Sequence, residues 1–131
     1  MKETIMLSKL KNLLIYFFFQ GVENKVDLGT PDVYYAHNGV GGWIELKQKA
    51  TKPKNKWTVP FRTGQYSWYK RYKHHAAPYF LVVTLGRDWY VIPMSKVKEE
   101  YQMYEMKEFF VCNDKEMWSS EHLFVAAFQR R

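Results

Sequence analysis

A mixed α/β domain, with a sheet flanked by helices, is what this sequence predicts, and three observations carry the prediction. Apolar positions recur at helical spacing in residues 2–20 and 63–75. Two pairs of short apolar and aromatic runs, "DVYYAH" with "GWIELKQ" and "PYFLVVTL" with "DWYVIPM", are each joined by a turn signal. The two element types alternate along the chain, as they do when helices cover a sheet.

Residues 2–20 read as a helix closed by Gly21, with Leu10, Leu13, Leu14, Phe17 and Phe18 on one face. Residues 22–36 hold an extended stretch interrupted by "LGTP", the least distinct of three expected strands. Asn38-Gly39 joins the next two strands as a tight hairpin. "KATKPKNKWTVPFRT" is a polar, lysine-rich loop, and residues 63–75 form a second helix with Thr63 as its N-cap. The next two strands turn at Gly86-Arg87, and helices are expected over 95–110 and 119–129.

The 131 residues suffice for one domain, 1–131, with a real core, and 47% apolar content argues against disorder. Lys and Arg outnumber Asp and Glu by 20 to 13, a net charge of +7, which points to a polyanionic partner. A single cysteine, Cys112, excludes an internal disulfide and a cysteine-based zinc site and fits a reducing compartment. "LLIYFFF" (13–19) is too short to span a bilayer, and "QGVEN" after it makes a poor signal-peptide cleavage site. The expectation is a cytoplasmic chain that does not engage membranes, because its lysines gather on a loop rather than along an amphipathic helix.

The first hairpin carries the chemistry. A two-residue loop at Asn38-Gly39 makes positions summing to 77 face each other: Val33 with Ile44, Tyr34 with Trp43, Asp32 with Glu45. Alternation then sets Asp32, Glu45 and Lys47 on one face and Val33, Ile44 and Leu46 on the other. Opposed carboxylates repel, so something must compensate. Lys47 can neutralise only one of them, and a hard divalent cation such as Mg²⁺, with Mn²⁺ able to substitute, is the natural remainder. Such an ion beside a lysine suits phosphodiester hydrolysis, since it polarises the phosphate and screens developing charge.

"PD" at 31–32 followed by "ELK" at 45–47 resembles the signature of the PD-(D/E)XK nuclease superfamily. The longer string "VENKVDLGTPDVYYAHNGVGGWIELK" is similar to small phage-encoded nucleases of the virus-type replication-repair nuclease and Holliday junction resolvase group. The resemblance spans about residues 20–93. It implies an αβββαβ restriction-endonuclease-like core and Mg²⁺-dependent DNA cleavage, on branched DNA in phage replication, recombination or repair, within the host cytoplasm. It also implies that Asp32, Glu45 and the Leu46 backbone carbonyl are metal ligands and Lys47 the catalytic lysine. Glu23 matches an upstream acid of such nucleases. Some relatives carry that acid in the first helix, which here would be Glu3; Glu23, nearer the motif, is preferred. Gln65 matches a glutamine that reaches the active site in many of these enzymes. A DNA-binding protein that keeps the fold without cleaving is the alternative, and intact Asp32, Glu45 and Lys47 argue against it.

No acid lies between Glu45 and Asp88, while ten of the 20 Lys and Arg do. Lys49, Lys52, Lys54, Lys56, Arg62, Lys70, Arg71 and Lys73 are the expected DNA-binding set, since cations that neutralise phosphates give salt-sensitive affinity. Trp57, Tyr66, Trp68, Tyr69 and Tyr72 are interleaved with them; Trp68 and Tyr72 are expected in the core. Residues 94–131 form a C-terminal helical extension too rich in large apolar groups for a solvated tail. Capping the sheet is its default role, and a homodimer interface is the alternative.

Overall fold

A computed structural model of the chain describes residues 1–23, 29–72, 75 and 78–130. Among them are three α-helices, α1 (Glu3–Leu13), α2 (Gln65–Tyr72) and α3 (Glu121–Phe128). Eight strands accompany them: β1 (Phe18–Gly21), β2 (Val33–His37), β3 (Val40–Lys49), β4 (Lys56–Thr58), β5 (Tyr79–Leu85), β6 (Asp88–Pro93), β7 (Glu100–Gln102) and β8 (Phe110–Asn113). Six form one sheet in the order β1-β2-β3-β5-β6-β8, and β4 with β7 forms a small second sheet. The expected mixed α/β architecture is therefore present.

The hairpin keeps the expected register. Val33 faces Ile44, Tyr34 faces Trp43, and His37 faces Val40. The turn residues explain why: Asn38 has φ 50° and Gly39 φ 78°, the positive pair of a two-residue turn that matches strand twist. The other neighbours in the large sheet are antiparallel, but β3 and β5 run parallel, with Glu45 beside Leu81 and Lys47 beside Val83. A parallel neighbour requires a crossover, and the segment that holds β4 and α2 provides it.

Two apolar layers sandwich the sheet. On one face Ile44, Leu46, Phe80, Val82 and Val91 pack against Met6, Leu10 and Leu13 of α1 and Phe124 and Phe128 of α3. On the other, Leu81, Val83, Tyr90 and Ile92 pack against Tyr69 of α2, Trp57 of β4 and Tyr101 of β7.

Several expectations need correction. The first helix ends at Leu13, not near residue 20, because Phe18–Gly21 pairs with Val33–Ala36 as the sheet's first strand. Its apolar face runs through Met6, Leu10 and Leu13, while Phe18 is exposed. The extended stretch expected over 22–36 falls partly on 24–28, outside the described residues. Helix α2 starts at Gln65 after Gly64 at φ 88°, so Thr63 does not occupy the capping position. The lysine-rich loop contains β4, whose Trp57 stacks on Tyr101 of β7 at 6.5 Å between ring centres.

The helix expected over 95–110 is replaced by β7 and short 3-10 turns at Met94–Lys96 and Glu105–Phe109. Strand β8 then joins the large sheet beside β6. The helix expected over 119–129 is present as α3. Residues 94–130 thus contribute to both sheets and the core, through β7, β8 and α3, rather than forming a purely helical extension. Among the described residues no helix is long and apolar enough to cross a membrane.

Candidate active site

Two short loops bring the polar groups together at the ends of β2 and β3. "GTPD" leads into β2, and "RTGQ" leads into α2. Their backbones touch: a Cβ placed on Gly29 would lie 2.4 Å from the Gly64 carbonyl oxygen and 2.7 Å from Trp68 Cβ. Glycine at 29 is what permits this approach.

Asp32 closes the gap to β3 by accepting a hydrogen bond from the Leu46 N–H at its Oδ2, 3.1 Å away. Its other oxygen, Oδ1, accepts from Arg62 Nη2 at 2.7 Å. Glu45 is fully buried and Lys47 is only 4% exposed. Between them stands Gln65, itself 1% exposed. Its Nε2 donates to Glu45 Oε2 at 2.9 Å, and its Oε1 accepts from Lys47 Nζ at 2.8 Å and from the Arg62 backbone N–H at 2.7 Å. One amide thus fixes the acid, the lysine and the loop that carries the arginine. Lys47 Nζ also lies 3.9 Å from Glu45 Oε2, and Arg62 Nη2 3.6 Å from the same oxygen.

The electrostatics follow from burial and crowding. Loss of water, then the Asp32 carboxylate beside it, push the Glu45 acid up to about 9. Asp32 is also penalised by burial, but hydrogen bonding with Glu45, Arg62 and the Leu46 N–H brings it below the usual carboxylate range. Burial and crowding thus favour a proton on Glu45 beside an ionised Asp32. The 3.9 Å approach of Lys47 becomes an ion pair only when that proton leaves. Burial pulls the Lys47 ammonium below the usual lysine range, against the opposing pull of Glu45.

Glu3, at the start of α1, belongs to the same field. Burial and then Asp32 raise its acid, and its charge acts on both Lys47 and Arg62. Glu23 is exposed just after β1. It is not among the charges that weigh most on Asp32, Glu45 or Lys47. Val22, not Glu23, stands opposite Asp32, with its N–H 2.7 Å from the Asp32 carbonyl oxygen.

The residues suit a hard divalent cation. Glu45 Oε1 is buried and meets no donor, which leaves it a shared proton or a cation. Among the described residues no three His, Cys, Asp or Glu converge as a ready cage. A pair of carboxylates is nevertheless the donor set Mg²⁺ uses when water and substrate phosphate complete its shell.

The basic tract divides. Lys52 pairs with Asp88 at 2.8 Å and Lys56 with Glu100 at 3.4 Å, so both charges are partly answered within the chain. Lys49, Lys54 and Arg71 are exposed, and Lys70 is exposed with its ammonium over the Tyr66 ring. Lys73 lies outside the described residues. Lys49 and Lys56, with Gln48, Trp57, Thr58 and Pro60, line an open groove of about 450 Å³. Trp57 and Tyr69 are buried, and Trp68 and Tyr72 are half-buried and stacked on each other at 4.8 Å. None of these four rings is a freely exposed stacking platform.

With this geometry in place, comparison with solved structures is informative. A Holliday junction resolvase from the archaeal hyperthermophile Archaeoglobus fulgidus superposes with a TM-score of 0.58 at 15% identity. The match covers 81% of this chain and 89% of the resolvase. The chain shares the fold of that resolvase. That agrees with the restriction-endonuclease-like core implied by "PD" and "ELK". No protein-family model and no curated protein matches the chain at the level of sequence.

Sequence reading placed Arg62 among the phosphate-binding cations and did not place it on the carboxylates. Nothing in the local pattern of α1 shows that the Glu3 charge acts on Lys47 and Arg62.

Proposed function

We propose that this chain is a divalent-metal-dependent endodeoxyribonuclease that hydrolyses phosphodiester bonds, with branched DNA as its preferred substrate. One observation carries the reading: within a resolvase-type fold, Asp32 and Glu45 meet beside a buried Lys47, and Glu45 keeps an oxygen without a donor. The preference for branched DNA rests on the likeness to the archaeal resolvase.

Asp32 and Glu45 would hold Mg²⁺ or Mn²⁺, with the Leu46 carbonyl as a further ligand and Glu3, in preference to Glu23, as the supporting acid. The ion would supply Lewis acidity and charge screening at the phosphate. Lys47, held by Gln65, presents its ammonium where it can orient the attacking water and donate to a phosphate oxygen. The water oxygen bonds to phosphorus and gives up a proton, the bond from phosphorus to one sugar oxygen breaks, and that oxygen takes up a proton, so none is gained or lost overall. Lys49, Lys54, Lys70 and Arg71 remain free to bind flanking phosphates.

The test uses plasmid and a synthetic four-way junction, each with Mg²⁺ or with EDTA. Wild type should cut in Mg²⁺ alone, the junction faster than the plasmid. Glu45→Ala should lose at least about 100-fold, equivalent to about 2.7 kcal/mol of barrier. No cleavage of either DNA by wild type would overturn the enzyme reading. Wild-type rates from Glu45→Ala would overturn the site.

A further inference from the structure

Arg62 is more than half exposed, yet its guanidinium lies on the carboxylates rather than in solvent. Its side chain is 56% accessible, while Nη2 sits 2.7 Å from Asp32 Oδ1 and 3.6 Å from Glu45 Oε2. It is thus a cation shared between the two acids that would hold a metal. Its backbone is held, because the Arg62 N–H donates to the buried Gln65 Oε1. Among the described residues its guanidinium pairs with Asp32 and Glu45, and it can leave them by rotation about its own bonds.

A guanidinium and a divalent ion cannot share this place. Both are positive, and an ion bridging the two acids needs Asp32 Oδ1, the oxygen Arg62 occupies, because Oδ2 already accepts from the Leu46 N–H. An incoming ion must turn the arginine outward, to the solvent side from which DNA approaches. There it meets the ligand a planar guanidinium matches best after a carboxylate, a phosphate oxyanion.

We propose that Arg62 is an exchangeable counter-cation: it covers Asp32 and Glu45 in the free protein and passes to a DNA phosphate when a divalent ion takes the carboxylates. The proposal rests on the metal reading above and adds a regulation to it. Metal and DNA become linked ligands, each freeing the group the other needs, and the coupling is reciprocal. The free enzyme then holds its ion weakly and loads it once DNA has drawn Arg62 away.

The experiment titrates Mn²⁺ into metal-free protein, followed by electron paramagnetic resonance and by calorimetry. It is run without DNA and with a short junction made of non-hydrolysable linkages. Wild type, Arg62→Ala, Arg62→Lys and Lys115→Ala are compared, each checked for folding by its melting temperature. Without DNA, Arg62→Ala should bind Mn²⁺ about fivefold more tightly than wild type or better. Arg62→Lys, which keeps the charge, should fall between them. Lys115→Ala, which removes an exposed cation just after β8 at the far edge of the sheet, should match wild type. DNA should tighten Mn²⁺ binding less in Arg62→Ala than in wild type. Equal or weaker Mn²⁺ binding by DNA-free Arg62→Ala would overturn the exchange while leaving the metal site standing. Absence of Mn²⁺ binding in every variant, with and without DNA, would overturn both.

Discussion

The two faces of strand β3 are buried to the same depth and serve opposite ends. Ile44 and Leu46 point into the layer under α1 and α3, where they are 0% and 3% exposed. Glu45 and Lys47, the alternate residues, point to the other side and are 0% and 4% exposed. Burial on the first face stabilises through apolar area. On the second face it strips water from an acid and an ammonium, which costs stability even when they are paired. One strand thus holds a stabilising stripe and a destabilising stripe side by side. The sheet can tolerate the second because β3 lies between β2 and β5, bonded on both sides.

Truncation on the apolar face should produce the largest effect on stability. Leu46→Ala should lower unfolding free energy by about 2–5 kcal/mol, the usual range for a buried leucine. Glu45→Gln should do nothing comparable. Its amide has the shape of the protonated acid that the crowded carboxyls favour, so stability at pH 7 in EDTA should stay within about 1 kcal/mol of wild type. Urea unfolding of both variants checks the contrast. A loss from Glu45→Gln as large as that from Leu46→Ala would show that the polar face holds the fold together.

Gln65 offers an intermediate case, since it is polar, buried and supports both neighbours. Gln65→Ala removes the acceptor of Lys47 Nζ and of the Arg62 N–H, and the donor to Glu45 Oε2. The expected loss is about 1–3 kcal/mol, the cost of leaving buried polar groups unpaired. Cleavage should fall further than stability explains, because Lys47 and the Arg62 loop lose their common anchor. Single-turnover rates below the melting transition separate the two effects. Unchanged cleavage would make Gln65 purely structural.

How much of this contrast was legible in the sequence depends on distance along the chain. The register of β2 and β3 is local: Asn38 and Gly39 set the turn, the turn sets the pairing, and Asp32 falls beside Glu45. The meeting of β4 with β7 joins residues 56–58 to 100–102, and no local pattern announces so short a pairing at that separation. "LLIYFFF" fits a helical face and a strand equally well by apolarity. Only β2 decides where α1 stops and β1 begins. Arg62 illustrates the same limit at the site. Its charge was readable, but its seat on Asp32 depends on a Gln65 side chain reaching back and on Gly29 admitting Gly64.

A dependence on pH, rather than a loss at one pH, also distinguishes the two faces. The Glu45 acid is raised from its ordinary value of 4.5 to about 9 in the folded protein, so within that window the folded state holds a proton the unfolded chain has released. Stability of the metal-free protein must therefore fall as pH rises from 5 to 8. Glu3, also raised, acts in the same sense. Asp32 is lowered, and its contribution is lost only below this range. Lys47 is lowered too, and a lowered ammonium acts in the opposite sense, adding stability as pH rises toward the ordinary lysine value of 10.5. One proton yields a slope of at most about 1.4 kcal/mol per pH unit. Melting in EDTA across this range should show the decline in wild type, a flatter line in Glu45→Gln, and the wild-type decline retained in a Leu46→Val variant whose lesion lies on the apolar face. Saturating Mg²⁺ should weaken the decline in wild type, since it binds the deprotonated pair. A wild-type slope no steeper than that of Glu45→Gln would mean that Glu45 is already ionised at neutral pH. The two faces would then differ in charge but not in proton binding.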